Sequence, residues 1–102
     1  MKIDYNLEDI IKALDYYDLQ GLVKIIFNLH PDLYYAVSNE RVELSNFELL
    51  DSKIEKLLTG RSSYEMENLY RILFNSSELT LEEKRTIERL MISCARNNSI
   101  GF

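Results

Sequence analysis

This chain predicts an all-α fold, a compact bundle of about five to six short helices, on three observations. Three glycines and one proline in 102 residues leave too little punctuation for a many-turned β fold. Apolar residues recur at the i, i+3, i+4, i+7 spacing of a buried helical stripe, as in Leu7, Ile10, Ile11 and Leu14. Three pairs, Ser45 with Glu48, Ser62 with Glu65 and Thr80 with Glu83, have the spacing of a capping box, in which two residues satisfy each other's free backbone amides at a helix start.

Taken in order, Asn6 is a suitable N-cap, and Glu8 and Asp9 suit the positive end of a helix running from about 7 to 17. Asp18 then caps a second helix. From Leu19 to Leu29 its apolar residues fall on almost every side, the pattern of a helix in the middle of a bundle, with exposure limited to Gln20, Gly21, Lys24 and Asn28. Pro31 ends that helix near His30 and opens a short third one, with Leu33, Tyr34 and Val37 inward. Residues 38–46 read as a linker, the Arg41-Val42-Glu43-Leu44 alternation having no partner strand. The fourth helix carries Phe47, Leu50, Ile54, Leu57 and Leu58 as its stripe and stops at Gly60. A fifth runs to about Asn75. A sixth runs from Leu81 to about Arg96, with Ile87, Leu90, Met91 and Cys94 inward and Arg85, Arg89 and Arg96 together on an outer face.

The stretch LVKIIFN, Leu22 to Asn28, returns 47 positions later as LYRILFN, Leu69 to Asn75. Residues 7–28 and 54–75 align without a gap, with six identical and seven conservative pairs among the 22. Some agreements, Tyr17 with Tyr64, Lys24 with Arg71 and Asn28 with Asn75, are not dictated by a burial pattern. The expectation is one domain of two similar halves, about 6–45 and 46–97, with a flexible tail at 98–102, in which the helices bearing Phe27 and Phe74 pack centrally about a pseudo-two-fold axis. The competing account is that any two amphipathic helices share leucine and isoleucine at similar spacing.

A chain of this length supports one core. Its net charge of −5 is uneven: residues 1–51 hold ten acids and four bases, about −6, and residues 52–102 hold seven acids and eight bases, about +1. That distribution argues against phosphate binding by the first half. A single cysteine, Cys94, excludes an intrachain disulfide and points to a reducing compartment. No apolar run approaches the roughly 20 residues of a membrane span, and MKIDYNLED has no apolar signal core, so a cytoplasmic protein with no membrane partner is expected.

Catalytic and cofactor motifs are missing. The glycines at 21, 60 and 101 form no phosphate-binding loop, and no zinc spacing or nucleophile elbow occurs, so no catalytic residue, metal or cofactor is expected. His30 beside Asp32 has the elements of a general base, but a helix-end hydrogen bond accounts for it more simply. Cys94 reads as a small core residue.

Two features point to binding. Tyrosine doublets at Tyr16-Tyr17 and Tyr34-Tyr35 cannot both turn inward from one helix face, so at least one ring of each reaches the surface, where tyrosines serve as interface anchors. Acids cluster on the first half. The candidate protein-binding residues are therefore Asp4, Glu8, Asp15, Tyr16, Asp18, Tyr34 and Tyr35.

The function these features imply is non-catalytic binding of another protein, with no direct nucleic-acid contact. The partner would be a basic, nucleic-acid-binding host protein. Size, acidity and enrichment in isoleucine, asparagine, lysine and tyrosine resemble phage and mobile-element inhibitors of host defence nucleases, such as anti-CRISPR proteins. This is a likeness of composition and not of motif. An immunity protein that neutralises a toxin or bacteriocin fits the same features. A nucleic-acid-associated regulatory module would instead use the arginines of the last helix, and a homodimer would use the tyrosine-rich face.

Overall fold

Among the residues that this computed structural model describes, 7–38 and 47–98, the backbone forms six α-helices and no strand. These are α1 (Leu7–Lys12), α2 (Tyr16–Leu29), α3 (Pro31–Ser38), α4 (Phe47–Leu58), α5 (Ser63–Phe74) and α6 (Leu81–Asn98). The all-α bundle expected from the sequence is therefore the fold. Asp4, Ser45, most of the 38–46 linker and residues 99–102 lie outside the described residues, as do the side chains of Phe47 and Glu48.

Capping sets the register of the elements. The first helix ends at Lys12, short of its expected end, because Asp15 and not Asp18 caps α2. The Asp15 Oδ1 accepts the Asp18 amide at 2.8 Å, and Asp18 Oδ2 accepts the Asp15 amide at 3.2 Å. Two aspartates three apart thus make the reciprocal box usually built from Ser or Thr with Glu. The expected boxes at Ser62/Glu65 and Thr80/Glu83 are both present. Gly60 terminates α4 at φ +84°, a left-handed conformation that glycine takes without steric cost. The sixth helix outruns its expected end near Arg96. Asn98, assigned to a flexible tail, is helical and donates to the Ala13 carbonyl and to Asp18.

One core joins all six helices. Helix α2 packs most extensively on α5 and also meets α3, α4 and α6, which makes it the central element. Its Leu19, Leu22, Val23, Ile26 and Phe27 are buried. The expectation that exposure on α2 is limited to Gln20, Gly21, Lys24 and Asn28 is corrected: Ile25 and Leu29 are 38% and 47% exposed, outside the buried set of Leu19, Leu22, Val23, Ile26 and Phe27. The Phe27 ring meets Tyr34 edge-on at 5.7 Å, and Tyr70 stacks on Phe74 at 5.8 Å. The Tyr70 hydroxyl donates to the Met91 sulfur, and burial pushes its pKa well above the usual tyrosine value.

Among the described residues, ion pairs link the two similar windows of the chain. Lys24 of α2 pairs with Glu55 of α4, and Arg71 of α5 grips Glu8 of α1 at 2.7 and 3.0 Å. Each base therefore reaches an acid in the other of the two similar windows, 7–28 and 54–75. At exposed sites such pairs add geometry more than stability.

Candidate protein-binding surface

Helices α2 and α6 lie antiparallel and are pinned at both ends. At one end the His30 Nε2 donates to Glu83 at 2.9 and 3.1 Å, and at the other Asn98 reaches Ala13 and Asp18. Between the pins the core side of α2 is fully covered, and its outer side carries Tyr17, Gly21 and Ile25 at i, i+4 and i+8. Those three line a single ridge, since residues four apart stack on one helix face. Leu90 and Cys94 of α6 stand beside the ridge and, with Asp18 and Leu22, enclose an open hollow of about 210 Å³. Tyr17 is 78% exposed and Leu90 39%, so the wall of the hollow is apolar and in contact with water.

The electrostatics of this hollow are one-sided. Its lining includes one charged side chain, Asp18, and Asp15 is its capping partner. The Cys94 thiol registers both: burial raises its pKa first, and the negative charges of Asp18 and Asp15 push it further up. Burial and neighbouring carboxylates thus disfavour the thiolate, and Cys94, expected as a core residue, is half-buried at the edge of the core.

The residues anticipated from the sequence divide into three groups. Asp18 lines the hollow, and Asp15 is hydrogen-bonded to it in the α2 cap. Glu8 is exposed but held by Arg71, whose guanidinium lowers the Glu8 pKa below the usual carboxylate value. The tyrosines require correction. Tyr34 is 2% exposed and belongs to the core against Phe27, so it cannot anchor a partner. Tyr16 is half-buried and spends its hydroxyl on the Leu58 carbonyl at 2.8 Å, while Tyr35 is half-buried against the core. The exposed member of the first doublet is Tyr17. Gly21 is exposed as the sequence pattern of α2 predicts, whereas Ile25 and Leu90, expected to face inward, are 38% and 39% exposed; the signal for Ile25 is the i, i+4, i+8 ridge it shares with Tyr17 and Gly21.

A second exposed pair, Tyr64 at 72% and Ile72 at 66%, lies on α5 at the positions matching Tyr17 and Ile25. The outer face of α6 has a different character. Arg85, Arg89 and Arg96 project there with Glu82, Thr86 and Ser93 between them, along two shallow hollows of about 380 and 370 Å³ that share Arg89. His30 caps α2 and serves Glu83. Among the described residues no group of three or more His, Cys, Asp or Glu side chains is placed to hold a metal ion, and no helix is long and apolar enough to cross a membrane. No family model matches the chain, and no curated protein or solved structure shows significant similarity to it.

Proposed function

We propose that this is a small acidic, non-catalytic protein that acts by binding another protein, in the manner of anti-CRISPR-like inhibitors that phages or mobile elements direct against a host defence nuclease. One observation carries the reading: Tyr17, Ile25 and Leu90 hold apolar surface in water around a hollow whose border is acidic. Tyrosine and branched aliphatic side chains around a concavity are what a binding hot spot uses, and a neighbouring carboxylate selects a basic partner. A defence nuclease supplies such a partner, because the groove that holds its nucleic acid is lined with lysine and arginine.

The test is affinity capture from a host lysate with wild-type protein and with a Tyr17→Ser/Ile25→Ser variant. Wild type retains a partner that the variant loses, and the partner's nuclease activity falls when the wild-type protein is added. Recovery of no partner, or of one indifferent to the substitutions, overturns the reading. If the recovered partner is a toxin, the immunity-protein alternative replaces the nuclease one with the same interface.

The arginine row of α6 favours a second reading, a nucleic-acid-associated regulatory module. A mobility shift at low salt that weakens steeply as salt rises would establish it. The protein-binding reading expects no shift.

A further inference from the structure

Gly21 has no explanation within the chain. It occupies the interior of α2, where glycine destabilises a helix relative to alanine. Its backbone is ordinary α-helix and has no need of glycine's freedom. Nor does a close neighbour demand it: a Cβ at this position would meet no atom within 4 Å. What its missing side chain does accomplish is to keep open the floor of the hollow, between Tyr17 one turn before and Ile25 one turn after.

Resting on the protein-binding reading, we infer that the hollow over Gly21 is the seat for one large apolar side chain of a basic partner segment, with a lysine or arginine of that segment set against Asp15 and Asp18. A volume of about 210 Å³ is several times the roughly 30 Å³ share of a water molecule in the liquid, enough for a leucine- or phenylalanine-sized group. Its walls, Tyr17, Ile25, Leu22 and Leu90, are apolar, and the absence of a Cβ at its floor lets a partner backbone approach closely. The charge of the occupant follows from the border. Asp18 lines the hollow and Asp15 is joined to it by the reciprocal capping hydrogen bonds, so an apolar group entering there brings its flanking charges near two carboxylates. A second copy of this chain is a poor occupant on the same ground, since a two-fold contact centred on Gly21 would gather four of these carboxylates at one interface.

The probe is a synthetic amphipathic helix with a leucine stripe flanked by lysines, compared with a twin carrying glutamates in their place. Binding is read from the backbone amide resonances of the full chain. The lysine peptide shifts the amides from Tyr17 to Ile25 and from Leu90 to Cys94, and the glutamate twin does not. Gly21→Leu fills the hollow and reduces the affinity by about tenfold or more, the loss expected when a hot-spot pocket is closed. The same variant melts higher than wild type, so lost binding cannot be ascribed to lost fold. Gly21→Ala also melts higher and binds nearly as wild type, because one methyl group leaves most of the space.

Equal binding of the glutamate twin, or undiminished binding by Gly21→Leu, overturns the inference. Shifts confined to α5 around Tyr64 and Ile72 also overturn it while leaving the protein-binding reading in place. A dimer in sedimentation that Gly21→Leu abolishes assigns the hollow to a second copy and overturns the basic partner. If neither peptide shifts any resonance and capture recovers nothing, both readings fall together.

Discussion

Truncating Phe27 to alanine is the most demanding test of how this bundle is held. The ring is fully buried on α2, the helix that packs on α5, α3, α4 and α6, and it makes an edge contact with Tyr34 of α3. Removing a buried phenyl group costs about 3–5 kcal/mol in lost transfer energy and residual cavity. About 0.5–1.5 kcal/mol of such a loss is typical of an aromatic pair at this separation. Against a stability of about 5–15 kcal/mol, that is a third or more of the total in many domains. At about 4 °C per kcal/mol for a chain of this size, Phe27→Ala lowers the melting temperature by about 12–20 °C. Thermal and urea unfolding followed by circular dichroism measure it. Ile72→Ala, on a residue 66% exposed, is the matched control and changes stability by no more than about 0.5 kcal/mol. A Phe27→Ala shift of under about 3 °C would refute the central placement of α2.

Phe74→Ala, at the matching position of α5 and 8% exposed, falls in the same range of about 3–5 kcal/mol, and its chemical denaturation midpoint reports it. Gly21→Ala raises stability by about 0.8–1.0 kcal/mol, since nothing obstructs the new methyl group, and a lower melting temperature would contradict the open geometry. Tyr16→Phe loses the hydrogen bond to the Leu58 carbonyl and about 0.5–1.5 kcal/mol, readable from urea unfolding. Acid titration of stability tests the two engaged glutamates. Glu83 is lowered by the Thr80 backbone hydrogen bond first and by His30 next, and Glu8 by Arg71. Because both folded pKa values lie below the unfolded value of about 4.3, their contribution is full above that pH and is lost as pH falls through the folded values. Glu8→Gln and Glu83→Gln therefore each flatten the acid limb of melting temperature against pH, and unchanged slopes would contradict the pairing.

The helices were readable because their signals are local. Ser62 with Glu65 and Thr80 with Glu83 announce helix starts from four residues each, and the stripe of Ile87 and Met91 needs only its own period. The sequence alone does not separate Asp15 from Asp18 as the α2 cap, because either can begin a helix and only the reciprocal hydrogen bonds decide between them. The surface was harder for a different reason. Whether Ile25, Leu29 or Leu90 is covered depends on how far α6 extends across α2, which is fixed by the distant His30–Glu83 and Asn98–Asp18 contacts. Doublet logic correctly required a surface tyrosine at positions 16 and 17, but it could not say which, and at 34 and 35 it named a residue that the Phe27 ring draws into the core. Gly21 was legible as an exposed residue and illegible as a floor, since a hollow exists only once the neighbouring helix supplies its far wall.

Cys94 lines that hollow, and it offers the most direct reading of whether a partner sits there. The measurement is the rate of thiol alkylation in the folded protein, alone and with saturating lysine-flanked peptide. This peptide slows alkylation strongly, the glutamate twin leaves it unchanged, and Gly21→Leu slows it without any peptide. Alkylation at the same rate with the lysine peptide bound would contradict the claim that a basic segment occupies the hollow over Gly21.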